Sequence, residues 1–423
     1  MKKWSILLAG TAVAAIGVGV YFADDIRIIN GMLGYKKMFD PENIAVSFRT
    51  MPDTLPSVTI PRGSEVYQLK ERIRPAALPE TYEYNGEIKP TRALFKKSNF
   101  TGMAILHNGE LIYEAYDLGN TRETRAIQMS VSKSMVSFLV GVAHEEGAIE
   151  NIEDQVVKYV PSLKGSAYDG ATIKDVLEMS SGIRWNEDYS RLDSDITQSM
   201  IATQFGSLDE FSGQIPREFE PGTYNRYASA DTHVLGMVVR HATGEEFADY
   251  FYDRLWSKLG AEDDAVWITD TVDEPVAYGG ANIRVRDMLR FGELYLNGGV
   301  NFKGEQLVSE EWVQKSTRPD NDRLRPGNNN PQSGSGFGYK YQWWTPLEPD
   351  GHDFMALGIY GQMIYVNPAR NVVIARTSAY KNFTTDDGHF FYENITAFQE
   401  IARYLTPDVV AVDGSIDRDL ATQ

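Results

Sequence analysis

No cysteine occurs among the 423 residues, which excludes disulfides, thiolate metal sites and a cysteine nucleophile. Covalent chemistry must therefore use oxygen or nitrogen nucleophiles. Histidine is scarce too. The six residues His107, His144, His233, His241, His352 and His389 stand far apart, with no His-Glu-x-x-His and no compact ligand cluster, so no metal or other cofactor is implied. Gly-x-Ser-x-Gly and the Walker A loop are missing, and with them the markers of an α/β-hydrolase elbow and of a phosphate cradle. Basic residues are in deficit: 41 Lys and Arg against 59 Asp and Glu give a net charge of −18, a sign that repels phosphates and disfavours a nucleic-acid partner. What remains is ordinary for a folded chain. Hydrophobic residues make up 42% and charged residues 24%, which excludes wholesale disorder and fibrous architectures.

One long apolar run is present. Lys2 and Lys3 precede an uncharged stretch from Trp4 to Ala23, and its 20 residues would rise ~30 Å as a helix, about one hydrocarbon core. Asp24 and Asp25 close it. The positive-inside bias then predicts a single N-terminal membrane span over residues 1–25, with the catalytic domain outside the cytoplasm. The alternative is a signal peptide cleaved after Ala12-Val13-Ala14 and a secreted product.

Residues 26–95 carry scattered prolines and little periodicity, as expected of an extension that wraps a domain or spaces it from a membrane like a stalk. From Phe100 the texture changes. Two apolar runs flank Asn108-Gly109 and predict a β-hairpin. Helical spacing follows over 130–146, then over 173–180, 231–243, 245–258 and 285–297; strands are expected at 338–345, 359–366 and 371–378, and a last helix at 392–404. The glycine-rich run from Asn328 to Gly338 follows no strand and opens no helix, so it reads as a loop. Strands, then helices, then strands and a helix predict an α+β fold in which both ends of a 96–410 domain build one antiparallel sheet, with a tail over 411–423.

Ser130-Val131-Ser132-Lys133 is a Ser-x-x-Lys at a helix start, and residues three apart share a face, so the Lys133 amine can reach the Ser130 hydroxyl. A desolvated neutral amine can take a serine's proton. The helix start adds a partial positive field and a free backbone N–H. Such a tetrad also occurs by chance as a solvated pair at a helix end. A second element, Glu220-Pro221-Gly222-Thr223-Tyr224-Asn225-Arg226-Tyr227-Ala228-Ser229, brings Tyr227 into a loop, where a neighbouring ammonium favours a phenolate suited to general-base work.

Ser130 to Lys133, Pro221-Gly222 to Tyr227-Ala228-Ser229, and Gly279-Gly280 with Arg286-Asp287 ahead of Arg290-Phe291-Gly292 stand in one order. Together they resemble the serine β-lactamase-related hydrolases, a family that includes class C β-lactamases, DD-peptidases, esterases and 6-aminohexanoate-dimer hydrolases. Met179-Ser180-Ser181-Gly182-Ile183-Arg184-Trp185-Asn186-Glu187 and Ala356-Leu357-Gly358-Ile359-Tyr360-Gly361-Gln362 are most similar to the last branch. The resemblance implies a β-lactamase/transpeptidase-like fold, an antiparallel sheet flanked by helices with an all-helical lobe. It also implies Ser130 as nucleophile, Lys133 as its partner, Tyr227 as general base, and the Ser130 and Ile359 amides as an oxyanion hole.

Two departures stand out. Ser229 replaces the family's amide after Tyr227-Ala228, and Ala356-Leu357-Gly358 replaces a Lys/His-Thr/Ser-Gly, removing the cation expected to attract a substrate carboxylate. The expected substrate is a small amide or ester with a neutral or cationic end, contacted by Ser229, Gly358, Tyr360, Gln362, Trp185 and Tyr189, with Trp343 and Trp344 as further wall candidates. The alternatives are a β-lactamase or DD-peptidase, and a non-catalytic cell-envelope binding protein built on the same fold. The oligomeric state is not readable.

Overall fold

Eight strands form the main sheet: β1 (Lys70–Glu71), β2 (Phe100–His107), β3 (Glu110–Tyr116), β4 (Gly338–Lys340), β5 (Trp343–Thr345), β6 (Phe354–Gly358), β7 (Gln362–Asn367) and β8 (Val372–Ser378). Their order across the sheet is β4-β5-β6-β7-β8-β2-β3-β1. The computed structural model describes residue 34 and residues 37–409 apart from 75, 328, 329, 331 and 387. Neighbouring strands are antiparallel except β1, which runs parallel to β3. The predicted hairpin is present: Asn108 and Gly109 take φ of 52° and 70°, the two left-handed positions that a type I′ turn needs. The two ends of the domain meet where β8 pairs with β2, Val372 opposite His107 and Arg376 opposite Met103.

Side-chain alternation along these strands feeds two apolar layers. Met103, Ile105, Met363, Tyr365 and Ile374 face the helix α4 (His389–Leu405), which contributes Ile395, Phe398 and Ile401. Ala104, Leu106, Ile364, Val366, Val373 and Ala375 face the other way, into the larger core shared with α1 (Val131–Glu145), α2 (Ser229–Thr243) and α3 (Val285–Leu296). The strands are therefore buried on both faces, which is why they read as nearly continuous apolar runs. Gly292 lets α3 lie close on the sheet. A methyl group there would stand 2.5 Å from Val373 Cγ1 and 2.9 Å from Ile364 Cγ2.

A smaller antiparallel sheet joins Ser57–Ile60, Ala265–Ile268, Ala281–Arg284 and Arg125–Ile127 in that order. Its last strand leads within three residues to Ser130. The N-terminal segment contributes to this body: the helix Ile44–Thr50 buries Ile44 and Phe48, and Ser57–Ile60 pairs with Ala265–Ile268. The helical lobe carries α1, α2 and the helices Ile173–Leu177, Asp195–Phe205, Leu208–Gln214 and Phe247–Arg254.

Three expectations are corrected. The strand expected at 338–345 is a hairpin, because Tyr341 and Gln342 take φ of 39° and 69° without any of the usual turn residues. The strand expected at 359–366 starts at Gln362, since Tyr360 at φ 63° breaks the chain between β6 and β7. The membrane anchor is the third. Among the described residues no helix is long and apolar enough to cross a membrane, and the run 4–23 on which the anchor rested lies outside them.

Gly292→Ala is expected to destabilise the protein by about 1–3 kcal/mol through overpacking of α3 against β7 and β8. Chemical denaturation should show a lower midpoint with an unchanged slope.

Candidate active site

Ser130 sits at the first turn of α1, directly after Met129, whose φ of 49° is a left-handed conformation that costs a non-glycine residue energy. Ser130 itself is helical, with φ −66° and ψ −7°, and its hydroxyl makes no capping hydrogen bond. That oxygen faces an amine instead. Lys133 Nζ, one turn along, lies 3.1 Å from Ser130 Oγ, 3.1 Å from Ser229 Oγ and 2.8 Å from the Tyr278 carbonyl oxygen. Lys133 is fully enclosed, and desolvation lowers its pKa to about 7, with the negative charge of Glu187 acting in the opposite direction.

Tyr227 closes a third side. Its ring centroid is 5.3 Å from Lys133 Nζ, and the Ser130 side chain acts on its hydroxyl to lower the phenol's pKa. The loop that carries it hangs on the turn at 178–182. Asn225 Nδ2 donates to the Glu178 carbonyl at 2.8 Å, and Arg226 N donates to the Met179 carbonyl at 2.7 Å. Gly182 is required in this turn: at φ 81°, a methyl group would lie 2.2 Å from the Phe219 carbonyl oxygen. Behind it, Asp231 accepts from Ser181 Oγ at 2.7 Å and Tyr168 Oη at 3.0 Å, and burial pushes its pKa up to about 7. The Ser180-Ser181-Gly182 motif is thus a scaffold for the Tyr227 loop.

The phenolate expected of Tyr227 is opposed by its surroundings. Burial first and Glu187 second push its pKa well above the usual tyrosine range, outweighing the lowering influence of Ser130.

Glu187 gave no functional signal in the sequence beyond its place in the quoted motif. In space it accepts from Ser229 Oγ at 2.6 Å, Ser229 N at 3.1 Å, Tyr189 Oη and Trp185 Nε1. Its neighbours Trp185 and Tyr189 are local, but the partner that links it to Lys133, Ser229, stands 42 positions away.

A cleft of about 540 Å³ opens over Ser130, lined by Trp185, Glu187, Tyr189, Tyr227, Trp344 and Ile359 among others. Trp344 stacks on Tyr227 with centroids 5.2 Å apart. Described residues of the glycine-rich loop, Gln332 to Ser335, form part of the wall, a role the sequence gave no reason to assign. Strand β6 pairs with β5 through Trp344 and Met355 alone, so Ala356–Gly358 runs on past its neighbour towards this cleft. Gly358 packs under the Ser130 turn, where a methyl group would meet the Gln128 carbonyl oxygen at 2.6 Å.

The other expected substrate contacts fall elsewhere. Ser229 is fully buried and serves Lys133 and Glu187. Tyr360 packs in an aromatic cluster with Phe39, Phe48 and Phe383, turned there by its left-handed backbone. Gln362 bridges to the backbone of Ser378 across two strands. Trp343 lies in the core against Tyr295 and Phe354, as alternation with Trp344 requires.

The fold and this site belong to a known class: the chain matches the β-lactamase family over residues 91–392 and is a member of it. It is 31% identical over 300 residues to the 6-aminohexanoate-dimer hydrolase of Paenarthrobacter ureafaciens, covering 67% of this chain and 74% of that protein. The teichoic acid D-alanine hydrolase of Staphylococcus aureus is 28% identical over 225 residues, 50% of this chain and 53% of that one. Among solved structures, a Bacillus anthracis protein provisionally described as a 6-aminohexanoate-dimer hydrolase superimposes with a TM-score of 0.78 at 22% identity, covering 87% of this chain and 96% of that one. EstCE1, described as a hydrolase with promiscuous acyltransferase activity, shares the fold at a TM-score of 0.56 and 15% identity, covering 71% of this chain and 96% of that one. The protein is a hydrolase of the β-lactamase family.

Because Glu187 supports the charged form of Lys133, Glu187→Gln is expected to lower the Lys133 pKa below about 7. Titration of the Lys133 ε-carbon by NMR checks this; an unchanged or higher value would remove Glu187 from the electrostatics of the amine.

Proposed function

We propose that the protein cleaves an amide or ester bond through an acyl-enzyme on Ser130. The observation that carries this reading is the enclosed Lys133 amine at 3.1 Å from Ser130 Oγ, with a pKa lowered to about 7. At neutral pH a large share of that amine is unprotonated and can accept the serine proton. Ser130 Oγ then bonds to the substrate carbonyl carbon, and the carbonyl oxygen takes the negative charge between the Ser130 and Ile359 amides. Each such donor is typically worth about 3 kcal/mol of barrier.

Tyr227, kept as a neutral phenol by burial, passes a proton to the departing nitrogen or oxygen and is reprotonated from Lys133. The carbon–heteroatom bond breaks and the acyl group stays on Ser130. Water then attacks from the vacated side, giving up a proton along the same route in reverse. The Ser130–acyl bond breaks and the carboxylic acid leaves.

Glu187 on the cleft wall, together with the absence of the edge-strand cation, favours a neutral or cationic substrate end over a carboxylate. Arg226, the cation on the same wall, is already paired with Glu218.

Incubation with a panel of short amides, esters and β-lactams, followed by intact-mass measurement, should give an adduct on the native protein and none on Ser130→Ala. Turnover by that variant should fall by roughly 10³-fold or more. Undiminished turnover by Ser130→Ala would falsify the assignment. Nitrocefin turnover or a long-lived penicillin adduct would move the substrate class to β-lactams.

The active amine is the unprotonated one, so kcat/KM should rise with pH through an apparent pKa near 7. Lys133→Arg, charged at every accessible pH, should remove this limb together with the activity. A flat pH–rate profile between pH 5 and 9 would count against Lys133 as the base.

A further inference from the structure

Ser130 and Ile359 border two cavities. The first is the polar and aromatic cleft that contains Tyr227 and Glu187. The second, which shares Tyr189 with the first, is walled by Phe39, Met51, Leu55, Met200, Ile268 and Val276. Among the described residues no charged side chain lines this second chamber. Two of its polar groups are already engaged: Tyr278 Oη lies 3.1 Å from Ser199 Oγ, and Thr203 Oγ1 donates to the Ser199 carbonyl at 3.0 Å.

We infer that this chamber is the acyl subsite of the hydrolase and takes a short, uncharged aliphatic acyl chain. The inference rests on the acyl-enzyme reading given above. A carbonyl carbon bonded to Ser130 Oγ, with its oxygen held at Ser130 and Ile359, has two remaining substituents, which diverge from the tetrahedral carbon. The departing atom needs a proton from Tyr227, which lines the first cleft and, among the described residues, not the second. The leaving group therefore occupies the aromatic cleft beside Glu187, where a cation is tolerated. The acyl substituent enters the apolar chamber, where a cation or carboxylate would lose its hydration without a partner. Three of the named chamber walls, Phe39, Met51 and Leu55, come from the N-terminal segment, which gives that segment a role in specificity.

The test is a series of 4-nitrophenyl esters with acetyl, butanoyl, hexanoyl, dodecanoyl and 6-aminohexanoyl groups, assayed on the full chain. Each methylene removed from water should raise kcat/KM by up to about fourfold until the chamber is filled, with a fall for dodecanoyl. The 6-aminohexanoyl ester, of the same length as hexanoyl but ending in an ammonium, should be at least about tenfold poorer than hexanoyl. Leu55→Trp and Met200→Trp, from two separate segments of the wall, should each lower the hexanoyl-to-acetyl ratio by about tenfold or more. Circular dichroism verifies that both variants are folded, and two positions guard against one failing to fold. Ser130-dependent turnover with no dependence on chain length, equal use of the hexanoyl and 6-aminohexanoyl esters, or a ratio unmoved in both folded variants overturns the subsite and leaves the hydrolase standing. Absence of Ser130-dependent turnover even for the acetyl ester overturns the acyl-enzyme reading, and the subsite with it.

Discussion

The site depends on one amine kept out of water. Lys133 is sealed between the start of α1, the start of α2 and the turn ahead of the strand Ala281–Arg284, each of which contributes one of its three oxygen neighbours: Ser130, Ser229 and the Tyr278 carbonyl. Those neighbours satisfy the amine's hydrogens without supplying a negative charge in direct contact, so desolvation prevails and the pKa falls to about 7. In the unfolded chain the same group titrates near its ordinary value of 10.5. Between these two values the unfolded state binds more protons than the folded one, so folding stability rises with pH across the window. The cost is fully present below about pH 7 and gone above 10.5. At neutral pH it is on the order of 4 kcal/mol. A fold carries such a cost only where the neutral amine is useful, and the strained Met129 immediately before Ser130 is a second cost located at the same place.

The supporting structure can be understood as what holds three segments still around that amine. Arg286 binds Glu114 Oε1 at 2.7 Å, and Arg290 binds Asp287 and Glu262, each at 3.0 Å, which ties α3 to the main sheet and to the segment ahead of the small sheet. Lys340, buried on β4, meets Glu178 at 2.7 Å and so fixes the turn from which the Tyr227 loop hangs. None of these carboxylates lines the cleft among the described residues, and each is paired with an arginine or lysine. The charge that reaches the reacting groups is thereby limited to Glu187.

Much of the fold was legible because its signals are local. Asn108-Gly109 specified a hairpin, and the helices over 131–145, 285–296 and 389–405 were visible as periodic runs. Ser130 and Lys133 were legible for the same reason, being one helical turn apart. What failed was non-local or lacked a marker. Tyr341-Gln342 turns the chain with no glycine, asparagine or proline, so no composition rule finds it. Tyr360 and Gln362 sit in a motif next to Ile359 and were assigned to the substrate by proximity, yet one positive φ sends Tyr360 into the aromatic cluster and strand geometry points Gln362 at Ser378. Glu187, in a loop, was invisible because the groups it acts on, Ser229, Lys133 and Tyr227, are at least 40 positions away in the chain.

Ser229 also explains why a shortened side chain at that position does not empty the site. A hydroxyl has one hydrogen and two lone pairs. Its hydrogen goes to Glu187 Oε1 at 2.6 Å, which leaves an oxygen lone pair for Lys133 Nζ at 3.1 Å. The carboxylate thus reaches the amine through one oxygen, close enough to resist complete loss of the ammonium and too far to form an ion pair that would hold the proton permanently. An amide at the same position would be longer, and its carbonyl would offer the amine an acceptor with no hydroxyl link back to Glu187. The hydroxyl at this position therefore stands between the carboxylate and the amine, coupling Glu187 to the proton affinity of Lys133.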